Sequence, residues 1–196
     1  MNRWVIQKLQ TDPLSRSVYL KVEQFRSENL FRRVNPYLAE CKSILDVGAF
    51  SCALAKKFQE QGKKVTALDV IDVSLFEDIR PIVYDGVNFP FKEDSFDAAI
   101  FLFVLHHTKD PEQLVAEAKR VARRVIIMED VVRGPFHKYA TGIFDSLLNF
   151  EFKGHPHKNK TDEEWCRIFE KAGFRLVEKK SQWFTFMLHT TYVLDR

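Results

Sequence analysis

A chain of 196 residues, 45% hydrophobic and 29% charged, can build one domain with a good core and is too short for two of typical size. Its net charge of +3 is too small to point to nucleic acid, and the short basic runs KRVARR and KNK read as solvated helical surface. Three cysteines (Cys41, Cys52 and Cys166), odd in number and widely spaced without any metal-type pairing, read as reduced thiols in a cytoplasmic protein. The N-terminal stretch MNRWVIQKLQTDPLSRS lacks the apolar core of a signal peptide. The longest apolar run, Ala98 to Leu105, falls far short of the roughly 20 residues that span a bilayer, so no membrane insertion is expected. Eighteen phenylalanines predict an aromatic-rich core.

Residues 1–40 lack strand alternation and read as helical. Within Ser17 to Glu40, the residues Val18, Val22, Phe25, Phe31, Val34 and Leu38 approximate one helical face, with Pro36 as a bend or a stop. From Ser43 the chain alternates between strand and helix. Strands are predicted at 43–47, 64–69, 81–84, 96–103, 124–130, 174–180 and 184–194. Helices are predicted at 52–61, 110–122, 136–150 and 161–172, with a short turn at 74–79. The unbroken apolar run Ala98 to Val104 suits a central parallel strand. Thr161 followed by Glu164 is a capping-box signature, and Gly173 is a fitting helix stop. No helix fits between the last two strands, so they should pair antiparallel at the sheet edge. The expected fold is a single α/β domain: a Rossmann-like, seven-stranded, mostly parallel sheet with a reversed last strand and helices on both faces. Residues 1–40 would form a helical N-terminal lid, and 133–162 a helical insertion near the substrate site.

The chemistry concentrates at the ends of the first three strands. Ser43 to Phe58 reads as a buried strand, an acid (Asp46), a glycine turn (Gly48) and a helix. Glycine lets backbone approach a ligand, and a helix N-terminus offers free N–H groups. A second acid, Asp69, ends the strand VTALDV, and Asp85-Gly86 follows the third strand. Then come NFPFKEDSFD, the strand ending in FLFVLHH, and VIIMED. In this order, over Ser43 to Asp130, the segments resemble the class I S-adenosylmethionine-dependent methyltransferases, in their small-molecule branch with an Asp-Val-Gly-x-Gly-x-Gly loop and a Leu-His-His turn. The loop is degenerate: Phe50 and Cys52 stand where the family carries its second and third glycines.

The resemblance implies S-adenosyl-L-methionine as cofactor and a site built residue by residue. Asp46 would support the cofactor's ammonium, directly or through water, with Gly48 and Ala49 in the loop beside it. Asp69 would take the ribose hydroxyls. Asp85 would take the adenine amino group, with the N–H of Gly86 at the ring. Backbone at Phe101 and Leu102 would meet the methionine part, and His106 and His107 would line the mouth. Either histidine could serve as a general base, or the pair could cap the strand and bind the next loop. A nicotinamide site would use the same ribose acid, but its glycine fingerprint is absent.

The stretch after Glu129-Asp130 carries His137, His155 and His157 with Asp145 and Glu151, in no spacing known for a metal site, so no metal is expected. Its helix, with Tyr139, Ile143, Phe144, Leu147 and Leu148, would roof an apolar pocket. The reaction implied is direct methyl displacement onto a small-molecule acceptor, which needs alignment and water exclusion rather than a catalytic triad. Two rivals stand beside it. One is a methyltransferase-like scaffold without cofactor, favoured by Phe50 and Cys52. The other is an RNA or protein methyltransferase, opposed by the near-neutral charge.

Overall fold

The computed structural model describes residues 12–134 and 159–196. Its elements are α1 (Pro13–Val34), a 3-10 turn (Asn35–Leu38), β1 (Ser43–Val47), α2 (Ala53–Glu60), β2 (Lys64–Asp69), β3 (Ile82–Val83), β4 (Phe96–Leu102), a 3-10 turn (Leu105–His107), α3 (Pro111–Val121), β5 (Ala122–Val131), α4 (Asp162–Lys171), β6 (Arg175–Phe184) and β7 (Met187–Asp195). The strands form one sheet in the order β3-β2-β1-β4-β5-β7-β6. The first five strands pair parallel, and β7 runs antiparallel to both β5 and β6. The chain order reverses between β1 and β4, and open α/β sheets bind ligands at such a switch point, outside the carboxyl ends of the strands.

Alternation along the strands divides the core between the two faces. Leu45, Val47, Ala99, Phe101, Val125 and Ile127 turn to one face, where Leu114 and Val115 of α3 and Trp165 and Phe169 of α4 cover them. Ile44, Ala98, Ile100 and Ile126 turn to the other, under Leu54 and Phe58 of α2 and Val34 and Leu38 at the end of α1. Both faces of β4 are therefore buried, as its unbroken apolar run requires. Caps set the helix starts. Asp12 accepts the Ser15 N–H at 2.8 Å before Pro13, and Asp110 accepts that of Gln113 at 3.0 Å before Pro111. Thr161 and Glu164 form a complete capping box, the Thr161 N–H reaching the Glu164 carboxylate at 2.7 Å.

Two boundaries differ from the sequence expectation. β3 shrinks to Ile82–Val83. The stretch 74–79 is a short non-helical segment, which the Ser74 side chain closes by accepting the Phe76 N–H and donating to the Ile79 carbonyl. The last hairpin turns at Thr185, which has a positive φ of 56°, so β6 continues through polar Lys179-Lys180-Ser181-Gln182. There, backbone pairing with β7 rather than side-chain alternation holds the strand.

The predicted face of α1 is corrected more substantially. Val34 and Leu38 are in the core, with Phe31 packed against it. Val18, Val22 and Phe25, however, point to solvent, and the buried residues of the helix besides Val34 are Glu23 and Ser27. The expected helix at 136–150, most of the 133–162 insertion and residues 1–11 lie outside the described residues.

Candidate cofactor site

The turn after β1 has a glycine-type backbone although glycine stands at only one of its three left-handed positions. Gly48, Phe50 and Cys52 all have positive φ, at 71°, 46° and 59°. Left-handed backbone costs a residue with a Cβ about 1 kcal/mol or more, so neighbouring contacts must hold it. The Phe50 N–H donates to Asp69 Oδ2 at 2.9 Å, and the Gly48 N–H to the Leu68 carbonyl at 2.8 Å. Cys52 is fully buried among Ala49, Ala55, Ala67 and Ile79, and burial pushes its thiol up to about 12. Gly48 is required on a second count: a Cβ there would lie 2.5 Å from Val104 Cγ2. Phe50 sits half-buried at the rim, its ring edge-on to Tyr19 of α1 at 6.4 Å between centroids.

Beneath this turn and α1 lies a small cavity of about 50 Å³, lined among others by Glu23, Arg26, Asp46, Gly48, Phe50 and Leu102. Asp46 reaches it from the last turn of β1. Its side chain is 4% exposed, and its Oδ2 has no hydrogen-bond partner among the described residues. Burial, reinforced by the charge of Asp69, pushes the Asp46 carboxyl up to about 7. Glu23, 6% exposed, enters from α1, accepting the Ser51 hydroxyl at 2.6 Å on Oε2 and facing Arg26 at 3.6 Å on Oε1. Sequence reasoning missed Glu23, Arg26 and Ser51. The one available signal was a charged pair three residues apart on a helix expected to cover the cleft.

Asp69 binds backbone on both oxygens: Oδ2 takes Phe50, and Oδ1 takes the N–H groups of Val70 at 2.7 Å and Ile71 at 3.3 Å. Burial raises its carboxyl above the usual range against the pull of those donors. It thus staples the end of β2 to the turn after β1. Asp85 is exposed and closes its own turn, Oδ1 accepting the N–H groups of Val87 and Asn88 at 2.8 Å each, and these hold its carboxyl below the usual range. Gly86 adjoins Val70, whose Cγ1 would lie 3.2 Å from an added Cβ. Val70, Ile71 and Val87 are exposed around these turns.

The structure therefore brings Asp46, Gly48, Ala49 and Leu102 together at the cavity, with Asp69 tied to its wall. Asp85 and Gly86 stand on the surface beyond it. The Phe101 side chain faces the opposite core, 6.4 Å from Phe89.

His106 is fully buried, its Nδ1 2.5 Å from Glu129 Oε2, while Glu129 Oε1 accepts the N–H groups of Val104 and Leu105. In this geometry Glu129 of β5 ties together His106 and the turn after β4. His107, half-buried, packs its ring 4.0 Å from that of His106. At the far end of α1, Arg33 reaches His189 Nδ1 at 3.2 Å, and His189 Nε2 lies 3.2 Å from Asp130. A guanidinium can only donate, so Nδ1 is the acceptor in that contact. Among the described residues, no three His, Cys, Asp or Glu gather in a way that could hold a metal ion, and no helix is long and apolar enough to cross a membrane.

Comparison with known proteins bears on the same elements. Residues 45–125 match the family model described as "Methyltransferase domain". The chain is 29% identical over 126 residues to the ubiquinone/menaquinone biosynthesis C-methyltransferase UbiE of Rickettsia prowazekii, a match covering 55% of this chain and 50% of that one. It spans about half the length or less of the curated relatives it matches, 50% and 39%. A crystal structure of an S-adenosylmethionine-dependent methyltransferase from Methanosarcina mazei superposes with a TM-score of 0.68 at 16% identity, over 83% of this chain and 96% of that one. The 1,6-didemethyltoxoflavin-N1-methyltransferase of Burkholderia thailandensis, solved with bound 1,6-didemethyltoxoflavin and S-adenosylhomocysteine, gives 0.65 at 17% identity, over 89% and 78%. Residues 45–125 thus match the methyltransferase domain model, in a chain that shares the fold of solved methyltransferases.

Proposed function

We propose that the protein is an S-adenosylmethionine-dependent methyltransferase acting on a small-molecule acceptor. The observation that carries this reading is Asp46: a carboxylate 4% exposed, with one oxygen unpartnered, in the wall of a cavity at the switch point of the sheet. An unpaired buried carboxylate is costly, and a ligand's ammonium group would relieve it. The donor set fits the cofactor in other respects. Asp69 stands at the end of β2, and the exposed Val70, Ile71 and Val87 offer an apolar shelf beyond it for a purine. The cavity under α1 is far below the roughly 300 Å³ of a whole ligand pocket. It suits the amino-acid head alone, leaving the nucleoside on the open shelf. When bound, S-adenosylmethionine supplies an electrophilic sulfonium methyl that an acceptor takes by direct displacement.

This chain's residues then bind, orient and exclude water. Asp46 holds the ammonium, and the turn at Gly48 keeps backbone close to the head. Asp69 sets the ribose end, Asp85 and Gly86 bound the purine shelf, and backbone at Phe101 and Leu102 flanks the methionine part. The α1 helix, resting on the cavity, acts as the lid that closes it. Buried against Glu129, His106 keeps the turn at Val104 in place, and Val104 in turn packs on Gly48. The chain of contacts from β5 to the loop makes His106 a positioning residue. The small net charge supports a small molecule over a nucleic acid as acceptor.

The competing scaffold reading rests on the two strained substitutions, Phe50 and Cys52. Calorimetric titration of the purified protein with S-adenosylmethionine and S-adenosylhomocysteine decides between them. Saturable one-to-one binding is expected for both. No saturable binding at millimolar ligand would overturn the cofactor assignment and leave the scaffold.

A further inference from the structure

The α1 helix buries the wrong residues for a helix that merely covers a sheet. Val22 and Phe25 are 54% and 74% exposed, while Glu23 between them is 6% exposed. Placing a carboxylate inward and a phenylalanine outward forfeits apolar burial and adds a desolvation cost. Such an inversion is sustained where the buried charge meets something of opposite sign. Within the described structure its hydrogen-bond partners are neutral, the Tyr19 and Ser51 hydroxyls, and a cation, Arg26, stands 3.6 Å from Oε1 with a side chain 47% exposed. An exposed ion pair of this kind contributes little.

Glu23 and Arg26 lie three residues apart, hence on one face of the helix, and both line the same cavity as Asp46. That cavity, about 50 Å³, has room for roughly three to five water molecules at about 10–15 Å³ of probe-occupied volume each. A free α-amino-acid head, an ammonium and a carboxylate on one carbon, is of the same size. The wall therefore presents two carboxylates and one guanidinium to a space shaped for a small zwitterion. The unpartnered, buried Asp46 Oδ2 points to a cationic ligand independently of the helix.

We propose that Glu23 and Arg26 of the N-terminal helix are ligand-binding residues that receive the amino-acid head of the cofactor: Glu23 joins Asp46 on the ammonium, and Arg26 takes the carboxylate. This rests on the cofactor reading above and extends it to residues outside the matched family segment. It also gives the degenerate loop a counterpart, since the head is gripped by helix side chains where Phe50 and Cys52 replace glycines. The lid and the binding site are then one element, and the helix closes on the head it recognises.

The test compares two probes that differ in the head. S-adenosylhomocysteine carries it, whereas 5′-methylthioadenosine keeps the nucleoside and sulfur without it. Calorimetry on the full chain should show Glu23→Gln weakening S-adenosylhomocysteine by about tenfold or more, as charge-assisted hydrogen bonds are lost. Arg26→Gln, at a more exposed site, should weaken it by a smaller factor. Neither should move methylthioadenosine by more than about twofold, and melting temperatures establish that each variant is folded. Equal losses for both probes would mark the pair as structural and overturn the proposal, as would unchanged or tighter S-adenosylhomocysteine binding in both variants. Binding of methylthioadenosine alone to the wild type would also overturn it. A wild type that binds neither probe instead removes the cofactor reading on which the proposal stands.

Discussion

The middle and the C-terminal end of α1 obey opposite rules. Its last turns and the 3-10 turn after them bury Val34 and Leu38 against Ile44, Ile100 and Ile126, as an amphipathic helix on a sheet should. Its middle buries Glu23 and Ser27 and exposes Val18, Val22 and Phe25. The difference lies in what is underneath. Below the C-terminal end are the apolar strands β1, β4 and β5; below the middle are Asp46, Ser51 and the turn at Gly48. A helix shows its surroundings the face they demand, and over a polar cleft that face is polar. One half of α1 is therefore read as stability and the other as ligand recognition.

That division can be broken from either side. The largest loss of stability should come from Leu38→Ala, which empties a fully buried site and should cost about 2–5 kcal/mol. Denaturant unfolding would measure it, and S-adenosylhomocysteine affinity should be unchanged in the folded fraction. Asp46→Asn should do the reverse. Because burial raises the Asp46 carboxyl from 3.8 to about 7, the folded state holds a proton that the unfolded state has released between those values. Stability from this group therefore falls as pH rises through that window and is lowest above it. The amide removes that penalty, so the variant should be more stable than wild type at pH 8, by on the order of 2–4 kcal/mol, with the gap closing toward pH 4. The ammonium requires the ionised acid, so wild-type affinity for S-adenosylhomocysteine should fall as pH drops below about 7, and Asp46→Asn should lose most of it. Opposite pH slopes for stability and binding are the signature to look for in thermal melts and calorimetry. The smallest effect belongs to the outward face of the helix: Phe25→Gln should move stability by no more than about 0.5 kcal/mol, against the several expected had Phe25 been core.

Much of this was legible in the sequence because local and global signals agreed. The unbroken run at Ala98 to Val104 can serve a central parallel strand, and β4 is buried on both faces. The Thr161–Glu164 capping box formed at the position where its spacing placed it. The acid-glycine turn after β1 was readable as well, and its backbone has positive φ at Phe50 and Cys52 as well as at Gly48. Less legible was whatever depended on a partner distant in sequence. Periodicity put Val18, Val22 and Phe25 inward, since a count of apolar residues cannot see that the surface opposite is polar. The contact of His106 Nδ1 with Glu129, 23 residues on, has no signature in the local sequence. The course of β6 through Lys179-Lys180-Ser181-Gln182 follows from pairing with β7, which leaves no alternation to read.

The cavity between Asp46 and α1 is the proposed seat of the amino-acid head of S-adenosylmethionine, and a crystal structure of the protein with S-adenosylhomocysteine is the decisive experiment. The ammonium is expected within hydrogen-bonding distance of Asp46 and Glu23, the carboxylate at Arg26, the ribose beside Asp69 and the purine against Val70 and Val87. The turn from Gly48 to Cys52 should keep its left-handed backbone, with Phe50 at the rim. Ligand bound elsewhere, or a Phe50 ring filling the space of the head while α1 stays closed over Asp46, would contradict this placement.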